Sequence, residues 1–155
     1  MTNGKDYNSD NQYHFINLNG ECMNYSKQRA LILDIVKKNR VHPTAEWVFK
    51  EAKKQMLTIG IATVYRNLHA LVEQGEIERI AVPGDMDRFD GYMEEHFHMK
   101  CIKCGSLVDL EPKNSQSVNK LKEMINTTFD VSGENAYLCQ TLLMGVCNDC
   151  AHKKN

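Results

Sequence analysis

Apolar positions recur at helical spacing through the first half of the chain and change to strand-like spacing further on. Ser26 is suited to cap a helix. Ala30, Leu31, Leu33, Ile35 and Val36 then predict one over 27–39. Thr44 caps the next, where Trp47, Val48, Ala52 and Met56 recur; Trp47 is most simply core. Residues 58–60 form a short break, and a third helix is predicted over 61–74, stopped by Gly75. Its Ala62, Tyr65, Leu68, Leu71 and Val72 cannot share one stripe, so one face packs inward and another is left free. Residues 77–82 alternate as a strand does, Pro83-Gly84-Asp85 is a turn, and Arg88-Phe89-Asp90 can return as a second strand. Three helices and a β-hairpin describe a winged helix-turn-helix, with the third helix in a DNA major groove and the hairpin as the wing. A small helical domain with a solvated basic face is the alternative.

From His96 onward the pattern is that of a small α/β module. Residues 97–102 and 106–110 read as strands, 115–129 as a helix with Val118, Leu121, Met124 and Ile125 on one face, and 136–146 as a third strand. Such a module is too small to be comfortable alone, and a metal ion and a partner subunit are natural sources of extra stability. Residues 1–22, rich in Asn, Asp and Gly, read as a mobile tail. The expected organisation is a tail over 1–22, a DNA-binding domain over 23–84, a hinge over 85–92 and a metal-containing dimerisation domain over 93–155.

The 155 residues suffice for one domain or two small ones, and 42% apolar with 25% charged residues argues against wholesale disorder. No stretch approaches the ~18 apolar residues a membrane span needs. The N-terminus has no apolar signal-peptide core, which points to the cytoplasm. The net charge of −1 hides a split. Residues 27–66 carry nine Lys/Arg against three acids, a net of +6, whereas residues 84–155 carry eight against eleven, a net of −3. A concentrated basic segment raises the nucleic-acid reading.

Four of the six cysteines form two C-x-x-C pairs, Cys101/Cys104 and Cys147/Cys150, separated by 42 residues. Two such knuckles can bring four thiolates to one tetrahedral Zn(II). Gly105 follows the first pair, where a knuckle often needs positive φ. A redox pair or simply buried thiols are the alternatives, but a redox C-x-x-C would open a helix in a βαβ pattern, and neither pair does. Cys22 and Cys139 are left over as spectators or buried thiols.

His96 and His98 lie two apart on a strand, so both side chains project from one face. Asp90 precedes them, Asp109 ends the next strand, and His42 stands in a His-Pro dipeptide before the second helix. Three imidazoles and two carboxylates suit Fe(II), Mn(II) or Zn(II) rather than a thiolate-loving ion. His14, His69 and His152 read as solvated surface residues.

Certain runs of residues are familiar: Gln28-Arg29, His42-Pro43-Thr44-Ala45, Ala62-Thr63-Val64-Tyr65-Arg66-Asn67-Leu68, Arg88-Phe89-Asp90, His96-Phe97-His98-Met99-Lys100-Cys101-Ile102-Lys103-Cys104-Gly105 and Gly145-Val146-Cys147-Asn148-Asp149-Cys150. Through them the chain resembles, over nearly its whole length, the ferric uptake regulator (Fur) family of bacterial metal-dependent repressors, and within it the peroxide-sensing (PerR) branch. The resemblance implies an α+β fold, an N-terminal winged helix-turn-helix with a C-terminal small α/β dimerisation domain. It also implies a homodimer binding palindromic double-stranded operator DNA, read by Thr63, Tyr65 and Arg66. The zinc at Cys101, Cys104, Cys147 and Cys150 would be structural. Regulatory Fe(II) or Mn(II) would be held by His42, Asp90, His96, His98 and Asp109. With iron bound, peroxide would oxidise His42 or His96 to 2-oxo-histidine and release the repressor, peroxide being the signal rather than a substrate. An iron- or zinc-occupancy sensor on the same fold is the nearest alternative. A non-haem metalloenzyme is the alternative from another class, and the helix-turn-helix pattern and lack of a substrate-pocket motif count against it.

Overall fold

A computed structural model describes residues 12–16, 22–128 and 142–152. The chain divides into two compact units, Met1–Met93 and Glu94–Asn155.

The first unit opens with strands β1 (Gln12–Ile16) and β2 (Cys22–Ser26), which pair antiparallel with Tyr13 opposite Tyr25 and Phe15 opposite Met23. The stretch expected as a tail over 1–22 thus contains strand β1 and the first residue of β2. Both segments alternate polar and apolar residues, but the Asn, Asp and Gly around them mask the period. Helix α1 (Lys27–Lys38) follows directly, with Ser26 Oγ accepting from the Arg29 N–H at 3.3 Å. Helix α2 (Ala45–Gln55) is capped in the same way by Thr44 Oγ1, which accepts from the Trp47 N–H at 3.2 Å. Helix α3 (Ile61–Glu73) ends at Gly75, whose φ of 69° lets the Gly75 and Glu76 N–H groups reach the Val72 and Leu71 carbonyls.

Ile32, Leu33 and Val36 of α1, Val48 and Ala52 of α2, and Val64, Leu68 and Leu71 of α3 form the core with Ile59, Ile77 and Phe89. Each such side chain contributes about 1.5–3 kcal/mol on burial. Trp47, expected as core, packs against this cluster only partly buried. The polar exception on α3 is Asn67, which is buried; its Nδ2 donates to the Thr63 carbonyl at 2.8 Å and its Oδ1 accepts from Arg29 Nε at 3.1 Å, tying α3 to α1.

Strands β3 (Glu78–Ile80) and β4 (Arg88–Asp90) close the unit as an antiparallel hairpin, with Glu78 opposite Asp90. Arg88–Asp90 is the returning strand expected from the sequence; it lies within the stretch expected as a hinge over 85–92, and the compact unit runs on to Met93. Phe89 holds it there: the side chain enters the core, and its N–H donates to the Pro43 carbonyl at 3.0 Å.

Among the described residues, the second unit has a three-stranded sheet and one long helix. Strand β5 (Phe97–Cys101) lies between β6 (Leu107–Leu110), antiparallel, and β7 (Leu142–Gly145), parallel. Helix α4 (Ser115–Thr128) comes between β6 and β7 in sequence, and the short α5 (Asn148–His152) follows. Residues 136–141 of the expected last strand, and Cys139 with them, lie outside the described residues. Of the apolar face expected on α4, Val118 is buried, whereas Leu121 and Met124 are exposed.

Candidate functional site

The register of the second unit assembles both of its polar clusters. Cys101 at the end of β5 stands opposite Gly145 at the end of β7, so the two C-x-x-C segments leave the sheet side by side. Ile102 and Gly145 share a backbone hydrogen bond of 2.8 Å, and Gly105, at φ 73°, turns the first knuckle so that its N–H reaches the Cys101 carbonyl at 2.9 Å. Sulfur atoms of Cys101, Cys104, Cys147 and Cys150 all lie within 4.8 Å of one another. The Cys104 and Cys147 sulfurs are 3.8 Å apart. Two thiolates on a tetrahedral ion at ~2.3 Å would be separated by roughly 3.8 Å, so the cluster fits zinc.

Backbone donors already favour thiolates here. The N–H groups of Cys147, at 3.4 Å, and of Cys104 draw the Cys101 thiol down to about 6. Ser106, through its hydroxyl and its N–H, lowers Cys104. Cys150 is pushed up to about 12 by the neighbouring Cys104 and Cys147 thiols, so it holds its proton at neutral pH until a metal displaces it.

The second cluster grows from the pairing of β5 with β6, which sets His98 directly opposite Asp109. His96, one residue before β5, projects from the same face as His98. The His96 Nδ1 lies 2.7 Å from the Glu94 carbonyl, a contact that requires the ring proton on Nδ1 and leaves Nε2 as the lone-pair nitrogen. That Nε2 faces His98 Nε2 at 2.9 Å. Two nitrogens bound at ~2.1 Å in right-angled positions of one ion would stand roughly 3 Å apart. Asp109 Oδ1 lies 3.8 Å from the first nitrogen and 4.0 Å from the second. Two imidazoles and one carboxylate are an N/O donor set suited to Fe(II), Mn(II) or Zn(II).

The first unit holds the other two expected ligands. His42 Nε2 is 3.7 Å from Asp90 Oδ2, and both side chains are buried, at 2% and 4% exposure. The Phe89–Pro43 hydrogen bond brings them together by locking β4 to the loop between α1 and α2. The Tyr92 N–H donates to Asp90 Oδ1 at 2.8 Å, fixing the carboxylate so that Oδ2 is turned to the imidazole. His42 has a φ of 48°, and among the described residues it is the one non-glycine in the left-handed region. Such conformations cost about 1–3 kcal/mol and collect at functional sites.

On α3, Val64, Asn67, Leu68 and Leu71 face inward, while Tyr65 and Arg66 are exposed and Thr63 is half-buried. The free face expected from the pattern is therefore the one carrying the DNA-reading candidates. Glu46, absent from the sequence-based candidates, accepts a hydrogen bond from Tyr65 Oη. Only its place in a helix's first turn marked it beforehand. His69 and His152 are exposed, as expected of solvated residues.

A model of the ferric uptake regulator family matches residues 21–136. The chain belongs to the ferric uptake regulator family. It is 30% identical over 128 residues to the peroxide operon regulator of Bacillus subtilis, covering 83% of this chain and 84% of that one. The crystal structure of the Campylobacter jejuni peroxide stress regulator shares 32% identity at a TM-score of 0.65, covering 79% of this chain and 88% of that one. The Francisella tularensis ferric uptake regulator, solved with iron, shares 26% identity at a TM-score of 0.66, covering 84% and 96%. This Fur-family chain is thus a metal-responsive regulator of α+β fold, with a helical N-terminal domain and a C-terminal α/β domain. Among its described residues no helix is long and apolar enough to cross a membrane.

Proposed function

We propose that this chain is a homodimeric transcriptional repressor that senses peroxide through a metal site. His42 and Asp90 of the first unit, with His96, His98 and Asp109 of the second, would hold one Fe(II) or Mn(II) ion. Zn(II) would be held separately by the four cysteines. The observation that carries the reading is the His96–His98 pair, whose ring nitrogens face each other at 2.9 Å beside Asp109. Two donors in one unit and three in the other are each an incomplete shell for a six-coordinate ion. Together they number five and leave a position open. A ligand set shared between the units makes metal occupancy a bias on their arrangement, and hence on DNA affinity.

Bound Fe(II) supplies the redox chemistry that activates peroxide. His42 or His96 would take up the oxygen: the imidazole C2–H would become C2=O with its hydrogen ending on the ring nitrogen, hydrogen peroxide would be reduced by two electrons, and the second oxygen would leave as water. The altered ring is a poorer ligand, so the metal and the DNA-competent state are lost together. Mn(II) fills the site without that chemistry. Thr63, Tyr65 and Arg66 would read base edges from the outer face of α3, and two copies would demand a palindromic operator. Ile102, Met124 and Met144, each more than 60% exposed in the second unit, are apolar surface for a second copy to cover. The similarity to proteins named as peroxide regulators supports peroxide over metal occupancy as the signal.

The test is mass spectrometry of Fe(II)-loaded protein after mild peroxide, beside an operator-binding assay. The expected result is one added oxygen on the peptide of His42 or His96, loss of DNA binding, and neither change in the Mn(II) form. Retained DNA affinity with unmodified histidines would make the protein a metal-occupancy sensor instead.

A further inference from the structure

A carboxylate on a face meant to meet phosphates is out of place on charge grounds. Glu46 lies in the first turn of α2, and Tyr65, on the exposed face of α3, donates its phenol proton to Glu46 Oε1. The acceptor is well anchored. Its own backbone N–H and the Thr44 hydroxyl are near enough to favour its charged form, it sits at the positive end of a helix, and Lys50 lies one turn on. With the Tyr65 phenol foremost, these hold the Glu46 carboxyl below its ordinary range, while the carboxylate raises the phenol above its own. Near neutrality an ionised acceptor therefore faces a protonated donor. A phenol has a single proton, and here that proton is committed to Glu46. What Tyr65 Oη can still offer is its lone pairs. Tyr65 is 48% exposed and borders an open cleft of about 570 Å³ of mixed charge, lined by Arg66, His69 and Arg79 and by Glu73, Asp85 and Asp87.

We propose that Glu46 determines specificity: by taking the Tyr65 proton it makes the phenol oxygen an obligate acceptor toward DNA, so that the base Tyr65 reads is an amino base, adenine or cytosine. In the major groove adenine and cytosine present exocyclic N–H donors, whereas guanine and thymine present carbonyl acceptors. A keto base would set two acceptors against each other, leaving both without a partner at a desolvated contact. Glu46 acts through Tyr65 and is a positioning residue. The inference rests on the DNA-binding reading above.

Site selection from a randomised duplex pool tests it, using the Mn(II)-loaded wild type and the variants Tyr65→Phe, Glu46→Ala and Glu46→Gln. Bound zinc and circular dichroism check that each is folded. In the wild type, one base position should show an amino-over-keto preference of roughly 3- to 10-fold, the worth of one hydrogen bond. Tyr65→Phe should erase it. Glu46→Ala should erase it at the same position although Tyr65 is intact, and Glu46→Gln should keep part of it, because an amide carbonyl still accepts. A keto preference at the position sensitive to Tyr65→Phe would overturn the inference. So would a Glu46→Ala pool that keeps the wild-type pattern with evenly weaker binding, the mark of a merely structural role. If the wild type selects no sequence, the DNA reading itself fails, before any variant is compared. If it selects one that Tyr65→Phe leaves unchanged, only the present inference fails.

Discussion

Cys104 and Cys101 share a direction of shift and differ in access. Both thiols are lowered, yet Cys104 is exposed and Cys101 is buried. Reactivity needs both thiolate character and access. As metal is withdrawn, and before the second unit loses its fold, Cys104 should therefore be the first of the four to be alkylated near neutral pH, with Cys101 slower and Cys150, pushed up to about 12, last. Falling pH should slow Cys104 as its thiolate is reprotonated, whereas Cys150 should need alkaline solution to react at all. Zinc should protect all four. Peptide mapping after timed labelling measures the order, and Cys150 reacting first would contradict the hydrogen-bond pattern. His42 is the other residue whose environment is costly, since it combines burial with a left-handed backbone.

At the scale of elements, the packing of the wing's exit against α1 controls where Asp90 lies. A Cβ added at Gly91 would stand 2.7 Å from Lys37 Cα and 2.9 Å from its backbone nitrogen. Helix backbone cannot swing aside as a side chain can, and Lys37 is further held by its 2.7 Å ion pair with the buried carboxylate of Glu76. Gly91→Ala should therefore cost about 1–3 kcal/mol of stability through overpacking. With Asp90 a ligand as proposed, it should also weaken Mn(II) affinity, by displacing that carboxylate. Urea denaturation and Mn(II) titration check the two effects, and an unchanged midpoint would mean that α1 yields more easily than the geometry implies.

The two units differ in what stabilises them. The first has a contiguous apolar core from three helices and the wing. In the second, the buried apolar residues among those described are Cys101, Val118 and Cys147, two of them ligand candidates. The expectation of a module that leans on metal is consistent with this distribution. With the four cysteines holding zinc as proposed, stripping it with a chelator, or by Cys104→Ser, should unfold the second unit and leave the first folded. The loss is large because structural zinc contributes apparent binding energies of about 10–16 kcal/mol. Limited proteolysis should then release a stable fragment ending near residue 93. Loss of both units in one transition would show that the first depends on the second.

Much of this was legible without coordinates because it is carried by short spacings. Three helices follow from a 3.6-residue period and their caps, the thiol cluster from a doubled C-x-x-C, and the face shared by His96 and His98 from a two-residue step along a strand. Such patterns lie within a few residues of chain and obey local geometry. The tertiary structure decided what depends on pairing across distance. It put residues 12–16 against 22–26, and set Glu78 opposite Asp90, His98 opposite Asp109 and Cys101 opposite Gly145. It also set Glu46 against Tyr65, nineteen residues away on another helix. Register is a choice among alignments of similar local propensity, and side-chain contacts between helices depend on how their ridges pack. Both are settled by the whole core, and no window of sequence contains it.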